Sequence, residues 1–377
     1  MDDVKSAAGN TVENEVVENE VREGSALAVF KIAATYVGTV VGAGFASGQE
    51  VLQFFGKFGF IGFVGLLAAT AMFVLFGWAV LDMGMRLKAQ SHLEIIRHIG
   101  GRWLGTVIDY VITFFLFGAF TAMAAGAGAI FAEQYQWPSV IGSAVMIAIT
   151  VATVMLGLRG VIASISMVVP VLLASVVGMA VWTIINTKFY ANPVIGTVPF
   201  KAAVPFWPLA AVLYVSYNLV MAVAVLAPTG ARYNRPELLA KGAIFGGIGL
   251  GLGAAAIFLA IAPNLPMAGR FEIPMLYVAG TMNPLFRSFY SIVLLAEIYT
   301  TAVGSLYGFV VRLIPENTPQ AKYYIIGTAA AAFLASLVGF STLVRTVYPA
   351  VGYAGLLLLL GLTYKLIWKG KGTENTT

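Results

Sequence analysis

Long apolar stretches separated by short polar clusters run through almost the whole chain. A membrane-spanning helix needs about 20 mostly apolar residues. Residues 26–55, 59–85, 104–132, 138–156, 161–185, 206–228, 240–262, 285–311, 323–340 and 346–367 meet that requirement, which predicts ten transmembrane helices. The interval 263–284 is too polar and proline-rich to span, and reads as an outer loop with a short helix near residues 274–279. Ahead of the spans, residues 1–24 form an acidic arm carrying Asp2, Asp3, Glu13, Glu15, Glu18, Glu20 and Glu23. The arm lacks the basic start and short apolar core of a signal peptide, and is expected to be a flexible cytosolic tail. The expected order is this arm, a transmembrane domain over residues 25–368, and a polar tail over 369–377.

Composition sharpens the picture. Of the 377 residues, 59% are hydrophobic and 10% charged, against about 45–50% and about 25% in soluble domains. The solvent for most of this chain must be lipid. The chain has no cysteine, which excludes disulfides and thiolate metal sites. Its two histidines, His92 and His98, cannot build a histidine-rich metal or acid–base centre. No span sets a nucleophile beside a base, so the pattern does not describe an enzyme. The net charge of +5 needs no nucleic acid to explain it, because the basic residues follow the positive-inside rule. With the N-terminus inside, the outer segments hold only Lys57, Lys188, Lys201, Arg270, Arg287 and Arg345 of the 22 Lys and Arg. This predicts a multi-pass protein of a bacterial-type plasma membrane with both termini cytoplasmic.

The first span carries the most informative run. Gly38 is followed by Val41-Gly42-Ala43-Gly44-Phe45-Ala46-Ser47-Gly48-Gln49-Glu50 in mid-segment. Each glycine costs a helix about 1 kcal/mol relative to alanine. Unwound backbone at membrane depth is tolerated only where it is buried in protein or lines a wet cavity. The run therefore predicts two half-helices with a break near residues 42–44. The second half would aim its free N–H groups into the membrane centre, where they attract an anionic group. Close helix packing is the competing reading, and Gln49 and Glu50 argue against it here. It is the better reading for Gly242, Gly246, Gly247, Gly249, Gly251 and Gly253 of the seventh span, and for Gly126 and Gly128 of the third, which lack polar company. The Gly42-x-Gly44 pair has no third glycine at the spacing of a dinucleotide fingerprint.

Two other spans carry polar residues in mid-membrane. The sixth holds Tyr214, Ser216, Tyr217 and Asn218, a costly cluster unless it is partnered or lines a cavity. Interrupted segments at matching places in two halves of a membrane protein mark a transporter's binding site. Broken spans one and six thus predict an inverted repeat of two five-helix halves, residues 26–186 and 205–367. The expected substrate pocket comprises Gly42, Ala43, Gly44, Phe45, Ala46 and Ser47 with Tyr214, Ser216, Tyr217 and Asn218, and bulk from Phe45, Phe117 and Tyr217. Glu50 lies within reach as a coupling residue or gate. The eighth span holds Glu297, Thr300 and Thr301. Their oxygens suit an alkali cation, and the two hydroxyls could equally bond to carbonyls of their own helix.

The run from Lys31 to Phe55, with its Gly-Ala-Gly-Phe-Ala-Ser-Gly-Gln-Glu core, resembles the YkvI-like bacterial membrane proteins. These look like distant members of the amino acid–polyamine–organocation superfamily with the LeuT fold. The resemblance covers the chain from about residue 26 and is more specific in the first span than in the sixth and eighth. It implies a 5+5 inverted repeat, alternating access, and an amino acid or related amine as the small-molecule cargo. It also implies a sodium site built from the carbonyls of Gly38, Val41 and Glu297 and the hydroxyls of Thr300 and Thr301. Relatives that couple to protons through a lysine of the fifth span have no counterpart here, since residues 161–185 contain no Lys or Arg. Phe45 stands where a second sodium site would need asparagine.

The leading expectation is sodium-coupled symport. Proton coupling through Glu50 or Glu297 is the alternative, and a non-transporting sensor on a transporter scaffold is a third. Orientation is directly testable. Single cysteines at Lys188 and Arg270 should react with an impermeant thiol reagent outside intact cells, and cysteines at Arg97 and Arg235 should not. Labelling in the reverse pattern would invert the topology.

Overall fold

The computed structural model describes residues 24–156, 168–186, 203–314 and 318–372. The acidic arm up to residue 23, the start of the expected fifth span and the last residues of the polar tail lie outside them. All the regular structure among the described residues is helical, with no strand. We number the helices α1 Gly24–Val40, α2 Ala43–Ser47, α3 Gln49–Phe54, α4 Phe60–Leu87, α5 His92–Tyr135, α6 Ser139–Met155, α7 Val168–Asn186, α8 Trp207–Tyr233, α9 Pro236–Ile261, α10 Pro274–Met282, α11 Pro284–Leu313, α12 Ala321–Ser336 and α13 Phe340–Gly372. A one-turn helix, Leu265–Ala268, precedes α10.

Seven of the described helices are long and apolar enough to cross a membrane. Gly24–Val40 and Ser139–Met155 are apolar but shorter, as is Ala321–Ser336 at 16 residues. The helix expected in the outer loop is α10. One boundary differs from expectation: α5 begins at His92 rather than near residue 104. Its first turns are set off by a kink at Gly100 and Gly101, where Gly101 has φ 72°. A capping box explains the early start, because Ser91 Oγ accepts from Leu93 N at 3.2 Å and Glu94 accepts from Ser91 N at 3.1 Å. His92 therefore lies in a helix, not in a loop.

The surface is that of a protein solvated by lipid. Phe30, Phe60, Leu252, Ile292, Leu334 and Leu360 are each more than 60% exposed, while Glu50, Gln49, Gln53, Glu297, Ser216 and Asn218 are buried. A water-soluble chain does the reverse. Helix α8 is the most enclosed of the long helices. It packs on α4, α13 and α5, and glycines set the distance to α4. A Cβ on Gly84 would lie 2.9 Å from Ala227 Cα, and one on Gly230 would lie 2.9 Å from the Leu81 carbonyl carbon.

The same device fixes α9. Gly246 lies on the Tyr36 ring, Gly247 on the Val74 backbone, Gly251 on Thr70 and Gly242 on Ile32. The glycines of α9 are thus packing positions, as are Gly126 against Ile298 and Phe340, and Gly128 against Ser139 and Ser143. Tyr36 anchors α1 to this wall: its hydroxyl donates to Phe73 O at 2.9 Å. Close contact between helix backbones is a main source of association in lipid, where apolar burial drives little.

Gly247→Ala puts a methyl 2.7 Å from Val74 N, so it is expected to cost about 1–3 kcal/mol of stability. Gly327→Ala on α12 meets open space and should be neutral, or stabilising by up to about 1 kcal/mol. Thermal unfolding in detergent reads both. Equal effects would remove the packing role assigned to α9.

Candidate functional site

The first span breaks where its glycines fall. Helix α1 stops at Val40, Val41 and Gly42 are non-helical, and α2 resumes at Ala43. Gly42 is extended, with φ −131° and ψ −174°. A second interruption follows at Gly48, whose φ of 81° lies in the left-handed region that glycine enters at little cost. A side chain at Gly48 would also meet Ile261 and Met275. Every residue of α2 and α3 is buried. Ala43, Gly44, Phe45, Ala46 and Ser47 thus sit inside protein at the break.

The backbone groups released here are taken up locally. Ala46 N donates to Gly42 O at 2.9 Å. Ser47 Oγ donates to Gly44 O at 2.8 Å and accepts from Gln49 N at 3.2 Å. Tyr290 of α11 donates its hydroxyl to Ala46 O at 2.6 Å. The Ser47 hydroxyl therefore serves the backbone of the bend rather than a pocket.

The sixth expected span departs from the sequence reading. It is one continuous helix, α8, and Tyr214 to Asn218 are helical within it. The polar groups that predicted a break find partners instead. Asn218 Nδ2 donates to Tyr214 O at 2.9 Å, and Ser216 Oγ donates to Gly352 O of α13 at 2.7 Å. Tyr217 bonds to the first span, where its hydroxyl donates to the Glu50 carboxylate. The Tyr214 hydroxyl is buried without a partner, and its ring packs on Phe54, Phe55 and Phe73.

Glu50 folds back over α2. A Cβ added to Gly44 would meet its carboxylate and would lie 3.0 Å from the Tyr348 hydroxyl of α13. Tyr217 and Tyr348 have ring centroids 5.2 Å apart, and Phe115 of α5 joins both, at 6.2 and 5.5 Å. Two residues expected in this pocket face elsewhere. Phe45 points at Gly253 of α9, and Phe117 pairs with Phe309 of α11 at 5.6 Å. Phe115, Tyr348 and Tyr290 were missed. The signal that marked Tyr214 and Tyr217, a phenol in mid-span, also marks Tyr290 and Tyr348.

On the other flank, Gly42 faces α11. A Cβ there would lie 3.6 Å from Thr301 Oγ1. One residue earlier, Thr300 Oγ1 donates to Glu297 O at 3.0 Å. Glu297 is 3% exposed, and its Oε2 has no hydrogen-bond partner. Gly38 meets no neighbouring atom with its missing side chain. It lines a cavity of about 910 Å³ between α1, α7 and α9.

The two ends of the site differ. Over α3, Gln49 Nε2 donates to Phe271 O at 3.0 Å. Glu133 of α5 accepts from Glu272 N at 2.6 Å, and Glu272 accepts from Ser341 N of α13 at 2.7 Å. The loop ahead of α10 is thus bonded to three helices and closes this side. The cavity beside Gly38 is lined by α1, α7 and α9, with Phe30 and Phe245 on its rim. Elsewhere Asp109 of α5 holds Arg312 of α11 and lies 3.2 Å from His92 Nε2.

Two bacterial proteins match nearly end to end. The membrane protein YkvI of Bacillus subtilis (strain 168) is 32% identical over 341 residues, 89% of this chain and 95% of YkvI. The chain belongs to the YkvI family. The protein YyaD of the same organism is 28% identical over 352 residues, covering 89% of this chain and 96% of YyaD. No protein-family model matches. Among solved structures, MhsT in complex with L-phenylalanine superposes with a TM-score of 0.58 at 14% identity, covering 87% of each chain. Mhp1, a nucleobase-cation-symport-1 family transporter, gives 0.57 at 18% identity, covering 87% of this chain and 74% of its own. A manganese transporter of Eremococcus coleocola gives 0.55 at 11%, covering 89% and 77%. This YkvI-family chain is therefore a multi-pass membrane protein with the LeuT fold.

The two phenols of α8 separate bonding from filling. Tyr217→Phe removes the partner of Glu50 and is expected to cost about 1–3 kcal/mol, read as thermal unfolding in detergent. Tyr214→Phe removes a hydroxyl that bonds to nothing and should leave stability unchanged or raise it. The opposite order would mean that Glu50 does not depend on Tyr217.

Proposed function

We propose that this YkvI-family protein is a secondary transporter that couples sodium to symport of an amino acid or related small solute by alternating access. The reading takes ten spans in two inverted five-helix halves, with only the first span broken. It takes the membrane to be a bacterial plasma membrane with both termini cytoplasmic. One observation carries it. The unwound turn at Val41 and Gly42 lies against Thr301 of α11, so an unravelled helix end and a hydroxyl-bearing helix meet in the protein's interior.

Hard cations take oxygen ligands. The carbonyls of Gly38 and Val41, the carbonyl of Glu297, and the hydroxyls of Thr300 and Thr301 form such a set. Thr300 Oγ1 donates to Glu297 O at 3.0 Å, a bond within its own helix that an ion there would share or replace. An ion there would join α1 to α11. If it binds one arrangement of those helices better than the other, its gradient can move a second solute.

Proton coupling is the second reading, favoured by the buried and unpartnered Oε2 of Glu297. The acidic arm, the one feature pointing to a sensor, lies outside the described residues. Uptake into proteoliposomes under a sodium gradient, with choline as control, decides between the ions. Thr301→Ala should raise the half-saturating sodium concentration about tenfold, equivalent to ~1.4 kcal/mol. Uptake indifferent to sodium but driven by a proton gradient would move the coupling role to Glu297 or Glu50.

A further inference from the structure

One buried group at the break stands out by its sign. Glu50 is 4% exposed, and the partner seen for its carboxylate is the Tyr217 hydroxyl. The ion pairs among the described residues all lie elsewhere, at Arg86, His92 and Arg312. A carboxylate taken out of water without a cation is costly, and such residues inside membranes are functional candidates. Glutamine would satisfy a phenol equally well, so bonding to Tyr217 does not explain the acid.

The surroundings narrow which cation could pair with it. Phe115, Tyr217 and Tyr348 form three sides of an aromatic cluster with centroids 5.2 to 6.2 Å apart. Phe54 adds a fourth ring, 5.7 Å from Tyr217. Aromatic faces attract cations within about 6 Å, and organic ammonium groups use both a face and a carboxylate. Two backbone acceptors at the break already take a bond each, since Ser47 bonds to Gly44 O and Tyr290 bonds to Ala46 O. The charged acceptor beside Gly44 is Glu50. Its carboxylate also stands where a cargo carboxylate would approach the start of α2, and two like charges in one site repel.

We propose that the cargo is a small primary or secondary organic ammonium without a carboxylate beside its nitrogen, bound by Glu50 with its carbon skeleton among Phe115, Tyr217 and Tyr348. The ammonium N–H groups take the place of the Tyr217 hydroxyl on Glu50. This narrows the transport reading and rests on it.

The test uses the purified full chain and two matched sets of compounds. One is 2-phenylethylammonium, phenylalanine and 3-phenylpropionate; the other is 3-methylbutylammonium, leucine and 4-methylpentanoate. Calorimetry at fixed sodium should show at least one of the ammonium compounds binding about tenfold or more tightly than its zwitterion and acid. Glu50→Gln should weaken that binding by about tenfold or more, and Phe115→Leu by a smaller factor, with the zwitterion unaffected. If Glu50→Gln does not purify as a monodisperse protein, the order within each set and the Phe115→Leu result decide. A zwitterion or acid that binds as well as its ammonium partner overturns the proposal. So does the absence of ammonium binding at millimolar concentration, or affinity untouched by the variants. Sodium-driven uptake of an amino acid in that case would leave the transport reading standing. Ammonium binding without uptake under any gradient would sink transport and keep the site.

Discussion

Hydrocarbon offers no water to a backbone group that a helix releases, and the break at Val41 and Gly42 is built under that constraint. The chain leaves the helix twice within a few residues, at Val41–Gly42 and at Gly48. Groups are recovered by short-range bonds, such as Gly48 N to Phe45 O at 3.0 Å, and by side chains recruited from near and far. Ser47 closes the bend from within, and Tyr290 reaches in from α11 to Ala46 O. Each recruit fixes a neighbour. The Tyr290 bond sets α11 against α2, and the Glu50–Tyr217 bond sets α8 against α3. A straight first helix would need neither.

How much of this was legible in the sequence depends on which partner a polar group chooses. The first break was legible because glycine lowers helix stability in any context, and because Gln49 and Glu50 are too costly to face lipid. The packing role of the α9 glycines was legible for the opposite reason, since nothing polar accompanies them. The continuity of α8 was not. A run such as Tyr214-Val215-Ser216-Tyr217-Asn218 marks a place that needs partners, but the same run is satisfied by unwinding or by bonds across helices. Here Ser216 uses a carbonyl of α13, 136 residues away, and no local pattern reports that. The aromatic lining failed for a geometric reason. Phe115 and Phe117 are both apolar and two residues apart, which is about 200° around a helix. Only one can face Tyr217, and the alanine- and glycine-rich half of α5 gives no strong apolar stripe to say which.

Helices α5, α11 and α13 are tied by polar bonds at more than one depth. At the loop end α5 meets α11 through Gln134 and Ser288 at 3.0 Å, and through Arg287 and the Glu133 carbonyl at 2.6 Å. At the other end they meet again through Asp109 and Arg312. Helix α13 is held to α8 at Ser216 and to the outer loop at Ser341. Bonds at both ends tie α5 to α11.

Helix α1 is built differently. One face is fixed, with Ile32 and Tyr36 seated on the glycines of α9 and the Tyr36 hydroxyl on Phe73 O. The other face, through Ala33, Val37 and Gly38, borders the cavity of about 910 Å³. The Val41–Gly42 turn is the joint between this half-supported helix and the enclosed α2–α3 segment. Such an arrangement confines motion to the element with an open flank, because rocking α1 breaks few polar bonds while moving α11 breaks several. On the proposed reading, a cation at Thr300 and Thr301 would then act where α1 meets the fixed pair, and a cargo at Glu50 would act just past the same joint. Two ligands that each bias one hinge influence each other's binding without touching, since each stabilises the joint angle the other prefers.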